Sequence, residues 1–176
     1  YNMNSSDNTS DLENPSFLST QKITTFLTFN NQAEEALDFY PSVFKDSKVI
    51  QKTVNNDERI GKVGAMLIAT MELFGQKFML MNAGPNFTFT QGFSLMVNCD
   101  SQEEIDEYWG KLTSDGGKEV ACGWLTDKFG VSWQIVPAVM GKLMSSGDPE
   151  KSKRVMGAMM QMVKLDIAGL VKAYEG

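Results

Sequence analysis

The sequence predicts an α+β fold built from two tandem βαβββ modules with a C-terminal helical extension. Three observations point there. Apolar residues alternate with a period of two in short runs, and each set of runs is interrupted by one segment with helical spacing. The order of elements then repeats: AEEALDFY at 33–40 lies over QEEIDEYW at 102–109, and FGQKFMLM at 74–81 lies over FGVSWQIV at 129–136. Last, the chain changes character after Pro137 into Met-rich segments with helix-start signals.

Taken in order, residues 1–20 are rich in Asn, Ser, Asp and Thr, too polar to offset their ordering entropy, and read as a disordered tail. The first module opens with the strand ITTFLTF at 23–29. A helix follows, with Ala33, Ala36, Leu37, Tyr40, Val43 and Phe44 at helical spacing, and Asn31 with Glu34 resembles a capping box. Strands are expected at 48–54, 63–73 and 77–82, separated by NNDERIG and FGQ. After the linker NAGPNFTFTQ come a strand at 92–98 and a helix at 101–113. That helix carries Ile105, Tyr108, Trp109 and Leu112 on one side, with Asp100 and Glu103 as the capping pair. Short strands around 118–121, 124–127 and 131–136 complete the second module. Residues 138–145 suit one or two helical turns, Asp148-Pro149 starts a helix, and LDIAGLVKAY forms the last. The domain is therefore expected at 21–138 and the helical extension at 139–176. The methionines of that extension are expected to pack rather than to form a ligand groove.

Composition removes several functions. The 176 residues contain no histidine, which excludes Ser-His-Asp and Cys-His catalysis and every metal site built on imidazole. Sixteen basic against 22 acidic residues give a net charge of −6, poorly suited to nucleic acid. Cys99 and Cys122 stand 23 positions apart without a CxxC pair, as expected of two reduced thiols in a cytoplasmic protein. No apolar run suffices for a membrane span, and the N-terminus lacks the layout of a signal peptide.

The paired modules resemble the vicinal oxygen chelate superfamily, which includes glyoxalase I, extradiol dioxygenases and bleomycin-resistance proteins. More closely, AEEALDFYPSVFKDSKV, GPNFTFTQGFSLMVNC, CGWLTDKFGVSWQIVP and DPEKSKRVMGAMMQMVKLDIAGL resemble the PhnB-like branch, often labelled 3-demethylubiquinone-9 3-methyltransferase domain. The similarity runs from about Ile23 to Gly176. It implies a glyoxalase-like open barrel with a cleft, assembled as a homodimer. A nucleotide-binding methyltransferase would also carry a Gly-rich strand-to-helix turn, whereas GKVG at 61–64 lies between strands.

Metal-dependent relatives hold their ion with four ligands from the first and last strands of the two modules. The corresponding positions here fall near Thr24, Met79, near Gly92 and Gln134, so no metal and no cofactor are expected. Alternation from Gln134 places Ser132 and Val136 on the same face, and the repeat adds Lys77, Met79 and Met81. Phe26, Thr28, Ser94 and Met96 join from the opening strands, and Trp124 and Cys122 lie nearer the rim. The ligand-binding candidates are thus Phe26, Thr28, Met79, Met81, Ser94, Met96, Trp124 and Gln134, a mostly apolar set with a few small polar groups. Trp133 is expected in the core. Asp127 is the one acid expected near the rim, with Lys128 and Arg59 as anion contacts. A metal-free binder of an unidentified small molecule is the first expectation. An enzyme of unassigned reaction and a protein-interaction module built on the C-terminal helices are the alternatives.

Overall fold

The computed structural model describes residues 21–176. The expected tail at 1–20 lies outside the described residues. The first module contains β1 (Thr25–Phe29), α1 (Ala33–Val43), β2 (Ser47–Val54), β3 (Met66–Leu73) and β4 (Gln76–Asn82). The second contains β5 (Ser94–Cys99), α2 (Gln102–Leu112), β6 (Lys118–Glu119), β7 (Trp124–Thr126) and β8 (Ser132–Pro137). Each module forms one mixed four-stranded sheet, in the orders β1-β4-β3-β2 and β5-β8-β7-β6. β1 runs parallel to β4 and β5 parallel to β8, while the other pairs are antiparallel. The strands do not close into a barrel. The two repeat helices are 11 residues each, and the overlaid segments 33–40 and 102–109 lie within them.

Both strand sets alternate as read. Leu27, Phe29, Phe78 and Leu80 point to the buried side in the first sheet; Trp133 and Ile135 do so in the second. These residues belong to one core together with Tyr40 and Phe44 of α1 and Tyr108 and Trp109 of α2. Phe29 and Phe129 meet edge to face at 5.7 Å, and Tyr40 and Trp133 lie 5.6 Å apart, so aromatic rings join the modules.

The helix caps differ from expectation. α2 is capped by Ser101, whose hydroxyl accepts from the Glu104 N–H, while Glu104 accepts from the Asp100 N–H. The cap is therefore one residue on from Asp100/Glu103, with Glu104 reaching back to the N–H that precedes the cap residue. At α1 the Asn31/Glu34 box does not form. Instead the Oδ1 of Asn82, at the end of β4, accepts the Ala33 N–H at 2.8 Å. Replacing Ser101 by Ala is expected to cost about 1 kcal/mol in a urea titration, the usual worth of an N-cap. An unchanged midpoint would show that Glu104 alone sustains the turn.

The extension forms α3 (Met140–Met144), α4 (Pro149–Met159) and α5 (Ile167–Glu175), with Asp148 and Asp166 as side-chain caps. Leu143, Val155, Leu165 and Leu170 build a second, smaller core. Met140, Met144, Met159 and Met162 pack around it, as expected of structural methionines, whereas Met156 and Met160 are exposed. The extension is tied to the second module at the Cys122–Gly123 turn, whose N–H groups donate to the carbonyls of Met162 and Val163 at 2.9 and 2.8 Å. Gln102 adds a further link, donating to the Leu165 carbonyl and accepting from the Ile167 N–H.

Candidate functional site: two open sheet faces

The helix-covered faces of both sheets meet in one core, so the opposite faces point outward on two sides of the chain. The eight candidate residues divide accordingly. Phe26, Thr28, Met79 and Met81 share the open face of the first sheet, with Phe26 opposite Met79 and Thr28 opposite Met81 in register. Ile68 and Thr70 of β3 extend that face, opposite Met81 and Met79. Ser94, Met96, Gln134 and Trp124 share the open face of the second sheet, where Gln134 lies between Met96 and Trp124. One continuous cleft within the chain does not form from these residues.

Polar order on the second face is specific. The Gln134 amide donates to the Ser94 hydroxyl at 2.8 Å. Beside this pair, Thr126, Ser132 and Ser94 stand in register across β7, β8 and β5, a row of three hydroxyl residues. Exposure on both faces is high for apolar side chains: Phe26 is 45% and Met96 55% accessible. Two concavities flank the second face. One of about 500 Å³ runs along β5, lined by Ser94, Met96 and Asn98 together with Trp133 of β8 and Phe74 and Phe78 of the first module. Another of about 370 Å³ holds Trp124, Ser132 and Cys122. Thr28 lines a smaller depression with Phe87, Phe89 and Phe129.

Asp127 does not lie at a rim. Only 2% exposed, it sits at the junction of the modules as an acceptor for four donors. Tyr40 Oη donates at 2.7 Å and Trp133 Nε1 at 2.8 Å to one oxygen; the N–H groups of Phe129 and Val131 donate to the other at 2.9 and 3.0 Å. Burial raises its pKa, the four donors pull it back, and the net displacement is upward. Burial, reinforced by the neighbouring carboxylate, likewise raises Tyr40 well above the usual phenol range. This is a structural knot, with no side left for substrate. Lys128 is also committed, paired with Glu35 at 3.0 Å and lying over the rings of Phe39 and Phe129. Arg59 is engaged by Asp57. Cys99 is buried, its thiol pushed up to about 12 by that burial and by Glu104 and Asp100. Cys122 is partly exposed in its turn.

The donor set does not fit the metal centre implied by the resemblance. Met79 lies beside Phe26, and Gln134 beside Met96 and Trp124. Thr24 and Gly92 precede their strands. One neutral amide among thioethers and rings cannot replace the hydration of a divalent cation. Among the described residues, no three His, Cys, Asp or Glu side chains converge. The strand-to-helix turns, Asn30–Gln32 and Asp100–Ser101, contain no glycine, so neither forms a Gly-rich phosphate cradle. Sequence reasoning placed Ser132 on the right face without counting it as a candidate. It missed Thr126, whose place beside Ser132 depends on strand register.

Among curated proteins nothing matches the chain. The sequence model of the 3-demethylubiquinone-9 3-methyltransferase family matches residues 21–136. Among solved structures, a PhnB protein from Bacillus cereus is 42% identical with a TM-score of 0.63, over 67% of this chain and 100% of that one. Protein PA1353 from Pseudomonas aeruginosa is 20% identical with a TM-score of 0.55, over 67% and 98%. The fosfomycin resistance protein FosX from Listeria monocytogenes is 11% identical with a TM-score of 0.53, over 71% and 97%. The last two similarities speak for the fold alone. With the family model spanning both modules and a 42% identical relative matched along its entire length, the chain belongs to the PhnB-like, 3-demethylubiquinone-9 3-methyltransferase domain family.

Proposed function

We propose that the protein binds a small molecule, without a metal, in a cleft completed by a second copy of the chain. The observation that carries this reading is the pair of outward, largely apolar open faces, one on each sheet. Each is bordered by a strand, β1 or β5, at the end of its sheet order. Setting β1 of one copy beside β5 of the other would bring the Phe26–Met79 face opposite the Met96–Gln134 face. All eight candidate residues would then line one concave site, and the twofold operation would create two such sites. Apolar walls with a few fixed polar groups are the usual make-up of a ligand pocket. The Gln134–Ser94 pair and the hydroxyl row would orient the ligand. A binding role is favoured over chemistry because the acid first expected at the rim is consumed by four donors.

The test has two parts. Sedimentation of the full chain is expected to give a dimer, and Phe26→Asp is expected to give a folded monomer, because Phe26 is already 45% exposed in the single chain. A monomeric wild-type protein would sink the composite cleft. In a thermal-shift screen after exhaustive chelation, a ligand at 100 times its Kd should add about 2.7 kcal/mol. Hits that vanish on chelation would contradict metal-free binding.

A further inference from the structure

We propose that the 370 Å³ concavity beside β7 is a subsite for an uncharged apolar group carrying one hydrogen-bonding atom, read by the Ser132 hydroxyl. It deepens the ligand-cleft reading and rests on it in using the open face of the second sheet. Ser132 is 2% exposed and lines this concavity. Its Oγ has no hydrogen-bond partner; among the described residues it is the one buried side-chain polar atom left so. Native proteins pair nearly all such groups, because an unpaired one keeps the cost of its lost hydration. A ligand atom that both accepts from and donates to this hydroxyl removes that cost.

The walls define the rest of the ligand group. Val120, Ala121, Leu125 and Trp124 supply apolar surface, and the volume holds a single ring with room to spare. No acidic or basic residue lines the concavity, so an ionised group would be buried without a partner there. The site is also preformed by a part of the chain beyond the matched family region, which ends at residue 136. Met162 and Val163 accept from the N–H groups of Cys122 and Gly123, and Leu165 packs against Gly123. The extension thereby fixes the turn that carries Trp124, and rigid walls lower the entropy lost on binding.

Benzyl alcohol, toluene and benzoate titrated into the full chain, read by NMR at the Trp124 indole and the methionine methyls, test this. Benzyl alcohol is expected to shift the Trp124 signal and bind roughly tenfold tighter than toluene, the effect of one buried hydrogen bond. Benzoate is expected to bind at least as weakly as toluene. Ser132→Ala should remove the preference for benzyl alcohol while leaving toluene binding unchanged. Deleting an unpartnered hydroxyl should not harm the fold, and the wild-type comparison stands without the variant. Equal binding of alcohol and toluene, tight benzoate binding, or a preference that survives Ser132→Ala would each overturn the subsite. Shifts at Met79, Met81 and Met96 that spare Trp124 would overturn it and leave the cleft standing. Silence on both faces counts against both.

Discussion

Asp127→Ala is expected to destabilise the protein by about 3–5 kcal/mol, as loss of a buried carboxylate strands its partners. The carboxylate accepts from Tyr40, Trp133 and two backbone N–H groups, and alanine leaves all four donors without it. Two of those donors come from different modules, so the loss falls on the junction. At 2–4 °C per kcal/mol for a domain of this size, the melting temperature should drop by roughly 10 °C or more. Urea unfolding followed by tryptophan fluorescence measures it. A change below about 1 kcal/mol would show that the four donors find other partners. Tyr40→Phe removes one donor and should cost less, about 1–2 kcal/mol.

The pH dependence has a definite sign. Asp127 is displaced upward from its ordinary value of 3.8, chiefly by burial. The fold therefore binds its proton more tightly than the unfolded chain does. Its contribution is fully present below 3.8 and declines as pH rises through the folded-state value, then levels off. The stability advantage of wild type over Asp127→Asn should shrink across that window. An advantage growing with pH would mean that the four donors outweigh desolvation.

The second large effect is expected at Gly123. Its φ of +82° lies in the left-handed region, and an added Cβ would meet Leu165 at 2.9 Å and the Ile135 carbonyl oxygen at 3.0 Å. Conformational strain of about 1–2 kcal/mol and a similar overpacking cost together predict a loss of about 2–4 kcal/mol for Gly123→Ala. Because this turn joins the second module to the extension, protection from hydrogen exchange should fall at Cys122 and Gly123 and across α5. Uniform loss over both modules, with the extension no more affected than β1, would contradict that local coupling.

Much of the fold was legible because its signals are local. The overlay of 33–40 on 102–109 anticipated one helix in each module, and alternation around Gln134 put Trp133 on the core side, where it lies. Two of the failures depend on partners distant in sequence, and one on local backbone conformation. Asn82 caps α1 from 49 positions beyond Ala33, so Asn31 was a reasonable but wrong candidate. At α2 the adjacent Asp100 and Ser101 both suit a cap, and backbone conformation selected Ser101, which is extended at ψ 165°. Asp127 looked like a rim acid because its nearest neighbours in sequence are Thr126, Lys128 and the FG turn. Tyr40, 87 positions away, is what shows it buried.

The sequence alone therefore determined the modules, their helices, the core side of each strand and the lack of imidazole chemistry, since residue order and periodicity carry all of these. Tertiary structure decided where the modules put their remaining faces. A period of two tells which side chains share a face, but not which way that face turns relative to another module. Packing both helix-covered faces into one core sent the open faces outward. That arrangement divided the residues of one expected cleft between two open sheet faces and left the Ser132 hydroxyl unpaired beside the second of them.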